Sequence, residues 1–312
     1  MDKKNNKINS QDTWIDPFYL NDLLSEEEKS IQKTTQDYCK SKLLPNVIEH
    51  NKKCFFDKKI YKEFGGLGFL GLSISGYGAA NASNIAYGLV TKEFESVDSS
   101  YRSAISVQSS LVIHPIFHFG SEEQKKNYLP ELVKGNLVGC FGLTESISGS
   151  DPSSMKTNFT ELSDGYLING TKNWITNAPI ADVFIIWALD KDKKVHGFIV
   201  DRKTKGLTTS LIDKASLKIS QTGQIILNNV KVPKGSILPN TKGWKSVYSC
   251  INKARYGIAW GAMGAAQASW LIAKDYTENR IINKKPLAAK QLIQKKLADI
   301  QTEISLGLSA CL

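Results

Sequence analysis

The spacing of apolar residues changes twice along the chain, and these two changes constrain the fold more than any single motif does. Up to about residue 135 the apolar positions recur at helical intervals. Ser25-Glu26-Glu27-Glu28 ahead of Ile31, Tyr38 and Leu43 predicts a capped amphipathic helix over Ser25 to Ile48, ending near Pro45. Further helices are expected at Lys58 to Phe64, Asn84 to Phe94, Tyr101 to Phe119 and Glu122 to Val133, with Gly120 and Pro130 as punctuation. From about Asn136 the texture becomes that of short strands: Val138 to Leu143, Gly165 to Ile168, Val183 to Ala188, His196 to Val200 and Gly223 to Leu227. Ser163-Asp164-Gly165 and Asn169-Gly170 carry turn chemistry between them. From Trp244 two long helices return, over Val247 to Thr277 and Ala288 to Leu312, joined by a polar connection containing Pro286.

The expected fold is therefore α+β in three parts. Residues 16–135 form a helical domain, 136–243 an antiparallel β domain and 244–312 a second helical domain, behind a disordered leader over 1–15. The stripe Leu292, Ile293, Leu297, Ile300, Ile304 and Leu308 runs nearly to Leu312 without a capping glycine or proline. Two helices cannot bury their apolar faces on each other alone, so the last domain is expected to be an incomplete bundle, or one that a partner completes.

Composition narrows the function classes. A chain of 312 residues with 41% apolar and 22% charged residues has room for a substantial core. The net charge of +10 is scattered and accompanies no zinc finger, basic zipper or RNA-binding signature, so no nucleic-acid partner is expected. Five cysteines, odd in number and widely spaced, read as reduced thiols. The first residues lack a secretory h-region, which leaves a cytoplasmic setting, or the mitochondrial matrix in a eukaryote. Tyr256 to Ala273 is 18 residues long and mostly apolar, but it contains Gln267 and Ser269 and draws much of its apolarity from Gly and Ala. It reads as a buried bundle helix with close backbone contacts at Gly257 and Gly261, and no membrane span is expected. Only Arg102, Arg202, Arg255 and Arg280 are arginines among 40 basic residues, which marks positions where a bidentate fork is required.

Most motif-like spacings fail on context. Gly66-Leu67-Gly68-Phe69-Leu70-Gly71 matches G-x-G-x-x-G but follows a helix-like segment, so it reads as a turn between helices and not as a dinucleotide fingerprint. His114 and His118 lie four apart without an acidic partner, and no metal site is expected. Two segments of the β domain carry more. Phe141-Gly142-Leu143-Thr144-Glu145-Ser146-Ile147-Ser148-Gly149-Ser150-Asp151-Pro152 leads a strand into a loop of hydroxyls and open amides, suited to pyrophosphate or carbonyl oxygens, or else an ordinary Ser/Gly turn. Asn169-Gly170-Thr171-Lys172-Asn173-Trp174-Ile175-Thr176-Asn177 sets an indole and a hydroxyl two residues apart on one strand face, fit to stack on a planar ring and bond its heteroatoms.

In this order the two segments resemble the T-E-x-x-x-G-S-D loop and W-I-T-N strand of the acyl-CoA dehydrogenase family, and the resemblance extends over Asp16 to Leu312. Tyr101-Arg102-Ser103-Ala104-Ile105-Ser106-Val107-Gln108, Cys140 to Glu145 and Ala254-Arg255-Tyr256-Gly257-Ile258-Ala259-Trp260-Gly261 are similar to the glutaryl-CoA dehydrogenase branch. The resemblance implies FAD as cofactor, held by Phe141, Gly142, Leu143, Thr144, Gly149, Ser150, Trp174, Ile175 and Thr176. Arg280 and Gln291 would reach the FAD pyrophosphate across a subunit interface, which implies a homo-oligomer. Tyr248, Asn252 and Arg255 would grip the CoA portion, with Ser150 beside the thioester tail. Glu95, Arg102 and Ser103 would meet the distal carboxylate of glutaryl-CoA.

The implied reaction is oxidation and decarboxylation of glutaryl-CoA to crotonyl-CoA and CO2, with electrons passing to an electron-transfer flavoprotein. Another acyl-CoA dehydrogenase specificity, a non-catalytic flavin- or CoA-binding product and a nicotinamide enzyme are the alternatives. The family's general-base glutamate would fall beyond Leu312, so no catalytic base is assigned and little activity is expected from the 312 residues alone. Ile282-Asn283-Lys284 after Arg280 and Ser146 in the loop depart from the family pattern. Arg202 has no role in this picture and reads as a surface residue.

Overall fold

The computed structural model describes residues 14–312. Helices come first: α1 (Glu26–Tyr38), α2 (Val47–Lys53), α3 (Ile60–Gly66), α4 (Asn84–Glu95), α5 (Ser99–Ser106), α6 (His114–Phe119) and α7 (Glu122–Val133). Ser25 and Glu28 form the capping box expected for α1. The Ser25 to Ile48 segment is not one helix, because a π-helical stretch at Cys39–Leu43 and a 3-10 turn at Leu44–Asn46 separate α1 from α2. A second π stretch, Val107–Ile113, divides α5 from α6. Pro130 lies inside α7 and does not end it.

The sheet follows: β1 (Gly139–Gly142), β2 (Asn158–Glu161), β3 (Gly165–Thr176), β4 (Val183–Leu189), β5 (Val195–Asp201), β6 (Leu207–Leu211) and β7 (Thr222–Pro233). Its spatial order is β1-β4-β2-β3-β7-β6, with β5 paired to β4. The sheet is mixed and not purely antiparallel, because β1 runs parallel to β4 with Gly139 opposite Val183. Asn169-Gly170 is no turn: β3 continues through it, and the register against β7 slips between Ile168 and Gly170. Strand β4 explains how the parts adhere. Val183, Ile185 and Trp187 face the core shared with the first helices, while Phe184, Ile186 and Ala188 face the second core of the β domain.

The C-terminal part is α8 (Trp244–Asn279), a hairpin of β8 (Ile281–Ile282) and β9 (Lys285–Pro286), and α9 (Gln291–Cys311). Asn283 and Lys284 both take positive φ, 51° and 63°, as the hairpin's two-residue turn requires. Close packing of α8 on α4 depends on small residues. A Cβ added at Gly88 would lie 2.3 Å from the Trp260 indole, and one at Gly257 2.9 Å from the Tyr87 hydroxyl. Among the described residues no helix is long and apolar enough to cross a membrane. The α9 stripe is only half covered: Ile304 is 2% exposed, while Leu292 is 77% exposed. The leader expected over 1–15 lies mostly outside the described residues, but its end is tied down, since Gln301 of α9 donates to the Ile15 carbonyl at 3.3 Å.

Candidate active site

The loop after β1 is built from its buried polar residues outward. Glu145 is buried and accepts from the Lys156 amide at 2.7 Å, the Thr157 amide at 2.9 Å and the Lys172 ammonium at 2.9 Å. Glu145 and Ser148 close the loop through reciprocal backbone bonds of 3.1 and 3.2 Å. The Asn173 amide donates to the Thr144 carbonyl at 2.8 Å, which sets the loop beside the end of β3. Burial raises the Glu145 carboxyl, but the Lys172 ammonium and the two amides outweigh it and hold the pKa below the usual glutamate value. The sequence singled out neither Glu145 nor Lys172 as a buried pair.

At the next step of β3 the register slips again, between Lys172 and Ile175. Trp174 occupies this bulge at φ 59°, a conformation unfavourable for a bulky residue, and the residue is 55% exposed. Asn177 follows at φ 69° with a buried amide that donates to the Tyr61 hydroxyl at 2.8 Å and the Gly139 carbonyl at 3.1 Å. The Thr144 amide and the hydroxyls of Thr144, Ser150 and Thr176 have no partner among the described residues. Open donors beside a half-exposed indole form a site that suits a planar polar ring with an anionic tail.

Three of the expected cofactor residues turn their side chains inward. The side chains of Phe141, Leu143 and Ile175 are buried in the two cores because they are apolar, so only their main chains can face a ligand. Gly142 makes room inside the fold: a Cβ there would stand 2.7 Å from Ile186 and 3.2 Å from the Lys172 stem. Gly149 and Ser150 are exposed at the loop tip.

A second cluster forms where α4 meets α5. The Arg102 Nε donates to Glu95, whose other oxygen accepts from Ser99. Both side chains are about nine-tenths buried, at 13% and 9% exposure. The terminal nitrogens of Arg102 have no partner among the described residues. Gly261 permits this arrangement, since a Cβ there would fall 2.8 Å from a Glu95 oxygen. Ser103 lies one residue on and is half-buried. Tyr248, Asn252 and Arg255 are exposed at successive turns along one side of α8.

Arg280 and Gln291 are exposed and flank the β8–β9 hairpin, and neither bonds another candidate residue. At 1.5 Å per residue Arg280 stands about 38 Å along α8 from Arg255, so one chain does not gather all the candidates at one place. Arg202 is no idle surface residue. Its guanidinium donates to the carbonyls of Ala181 and Ala178, at 2.7 and 2.5 Å, and to the Thr209 hydroxyl at 2.9 Å, and it lies 4.9 Å from the centre of the Phe184 ring. It clamps the turn that follows Asn177. The His114 and His118 rings lie 4.3 Å apart, and no group of potential metal ligands occurs among the described residues.

Compared with known proteins, residues 25–136, 140–230 and 241–312 match the N-terminal, middle and C-terminal domains of acyl-CoA dehydrogenase. An acyl-CoA dehydrogenase of Bacillus subtilis is 34% identical over 286 residues, 89% of this chain and 76% of that protein. The chain belongs to the acyl-CoA dehydrogenase family. Among solved structures, a glutaryl-CoA dehydrogenase from Mycobacterium smegmatis in complex with FADH2 is 40% identical with a TM-score of 0.94, covering 96% of this chain and 78% of that one. The butyryl-CoA dehydrogenase of Megasphaera elsdenii is 33% identical with a TM-score of 0.89, covering 92% and 78%. The three-part α+β architecture is that of the acyl-CoA dehydrogenases.

Proposed function

We propose that this acyl-CoA dehydrogenase binds FAD between the Thr144–Ser150 loop and Trp174 and takes glutaryl-CoA as its substrate. The observation that carries the substrate reading is the Arg102 fork. Its Nε is committed to Glu95, which fixes the guanidinium plane, and both terminal nitrogens stay open to a carboxylate. A fork held this way suits a dicarboxylic thioester and has no counterpart in a monocarboxylic one. The similarity to a glutaryl-CoA dehydrogenase supports the same reading, while the similarity to a butyryl-CoA dehydrogenase makes a short-chain monocarboxylic thioester the competing one.

When bound, the flavin supplies a two-electron acceptor for α,β-oxidation of the thioester, with an electron-transfer flavoprotein as the onward partner. Trp174 stacks on the ring, the Thr144 amide and the Thr144 and Thr176 hydroxyls orient it, and the exposed stripe Tyr248, Asn252 and Arg255 holds the CoA portion. Arg102 neutralises and anchors the distal carboxylate, with Ser103 beside it, and its decarboxylation gives crotonyl-CoA and CO2. Neither buried carboxylate of the site is free to take the α-proton, because Glu95 is engaged by Arg102 and Ser99, and Glu145 by Lys172. Arg280 and Gln291, beside the β8–β9 hairpin, serve the pyrophosphate of a second copy in a homo-oligomer.

Titration of the FAD-loaded chain with glutaryl-CoA and butyryl-CoA, followed by flavin absorbance, tests the reading without requiring turnover. A charge-assisted bond to the distal carboxylate favours glutaryl-CoA by about 10- to 150-fold. Equal affinities contradict the glutaryl reading.

A further inference from the structure

Lys172 has no part in the roles above, yet it is the most deeply buried charge in the β domain. Its side chain is 0% exposed, and Nζ donates to the Leu143 carbonyl at 3.0 Å and to Glu145 at 2.9 Å. A buried ion pair of this kind seldom helps stability, since apolar residues of similar volume often do as well. What the pair does to the neighbouring main chain is more specific.

The Leu143 carbonyl and the Thr144 amide belong to one trans peptide unit and point in opposite directions. Anchoring that carbonyl inward on Lys172 therefore turns the Thr144 amide outward, and this is the amide left without a partner. The next carbonyl, that of Thr144, is anchored by the amide of Asn173, the residue between Lys172 and Trp174. Lys172 thus binds the loop through its side chain, while the strand it belongs to binds the loop again one residue later and then displays the indole. Burial draws the Lys172 ammonium down to about 8, against the pull of Glu145 in the other direction.

We propose that Lys172 is a positioning residue of the cofactor site: by holding the Leu143 carbonyl and the Glu145 carboxylate it presents the Thr144 amide, the Thr144 hydroxyl and the Trp174 indole as a preformed cradle for FAD. This inference rests on the flavin reading above.

The test pairs two variants with one measurement on the unaltered chain. Lys172→Met keeps the stem and removes the donor but leaves Glu145 charged and unpaired. Lys172→Met with Glu145→Gln removes both charges, although a Gln amide cannot accept from both the Lys156 and Thr157 amides, so it melts below the wild type but above Lys172→Met. FAD affinity, read from the quenching of flavin fluorescence, falls at least tenfold in both variants. A double variant that binds FAD as the wild type does overturns the positioning role and leaves the flavin reading intact. Hydrogen exchange on the wild-type chain needs no variant: the Glu145 and Ser148 amides are protected before FAD is added, and the Thr144 amide becomes protected on adding it. A loop that gains all its protection only with FAD overturns preformation. A wild-type chain that binds no FAD overturns the flavin reading, and this inference with it.

Discussion

Arg102 Nε donates to the Glu95 carboxylate from seven residues further along the chain, and both side chains are about nine-tenths buried. Glu95 is the last residue of α4 and Arg102 lies in α5, so the pair closes the corner between the two helices. Because the bond uses Nε alone, it orients the fork without filling it. A lysine at 102 could satisfy Glu95 but would then have no second face to offer.

Glu95→Gln should accordingly loosen the fork without removing it. The weaker neutral acceptor lets the guanidinium rotate, and glutaryl-CoA affinity should drop several-fold, less than on loss of Arg102 itself. Titration of both variants side by side checks the order, and a larger loss in Glu95→Gln contradicts the orienting role.

Trp174 combines a strained backbone with an exposed ring, and two substitutions separate these features. Trp174→Ala removes the stacking surface and should weaken FAD binding by about 1 kcal/mol or more. Trp174→Gly loses the same surface but accepts φ 59° freely, so it should melt higher than Trp174→Ala by an amount on the order of 1 kcal/mol. Equal melting of the two variants would remove strain from the description of this bulge.

His114 gives the fold a sensitivity to acid. Burial, followed by the His118 and Lys253 charges, pushes its imidazole down to about 3. The unfolded chain takes up a proton near the ordinary histidine value of about 6.5, while the folded one does not until much lower pH. The stability His114 confers is therefore complete above about 6.5 and is lost as pH falls toward 3, at up to about 1.4 kcal/mol per pH unit. Urea melts between pH 7 and 4.5 should show a shallower acid slope in His114→Gln. Parallel slopes would mean that His114 titrates normally in the folded state.

The α9 stripe offers a comparison within one helix. Ile304→Ala should cost about 2–4 kcal/mol, because the side chain is buried. Leu292→Ala should change stability by less than about 0.5 kcal/mol, since that side chain is largely in solvent. Comparable losses at both positions, in thermal or urea melts, would mean that the stripe is covered along its whole length.

The helices were legible because local signals specify them. The Ser25–Glu28 capping box marks the start of α1, and α7 keeps the bounds Glu122–Val133 that its periodicity gives. Strands β2 and β6 were not legible, since they are short and largely exposed and carry no apolar alternation. Asn169-Gly170 has turn composition, yet the strand passes through it as a bulge with φ 149° at Gly170, and the glycine is needed there because a Cβ would collide with Thr157. Lys172 and Arg202 were the costliest to read. A lysine in a polar strand and an arginine at a strand end look solvated, and what engages them, Glu145 and the Ala178–Ala181 turn, lies 27 and 21 to 24 residues away in the chain. Only the tertiary arrangement shows that Lys172 is internal and that the Arg202 guanidinium is fully engaged.

The central claim is that the Arg102 fork selects a substrate with a distal carboxylate, and Arg102→Gln tests it most directly. The variant keeps a polar side chain and loses the charge and the fork, so the FAD-loaded chain should bind glutaryl-CoA about 10- to 150-fold more weakly while its affinity for butyryl-CoA stays within about twofold. Equal loss for both thioesters, or no loss for either, would contradict the assignment of glutaryl-CoA and leave the chain an acyl-CoA dehydrogenase of another specificity.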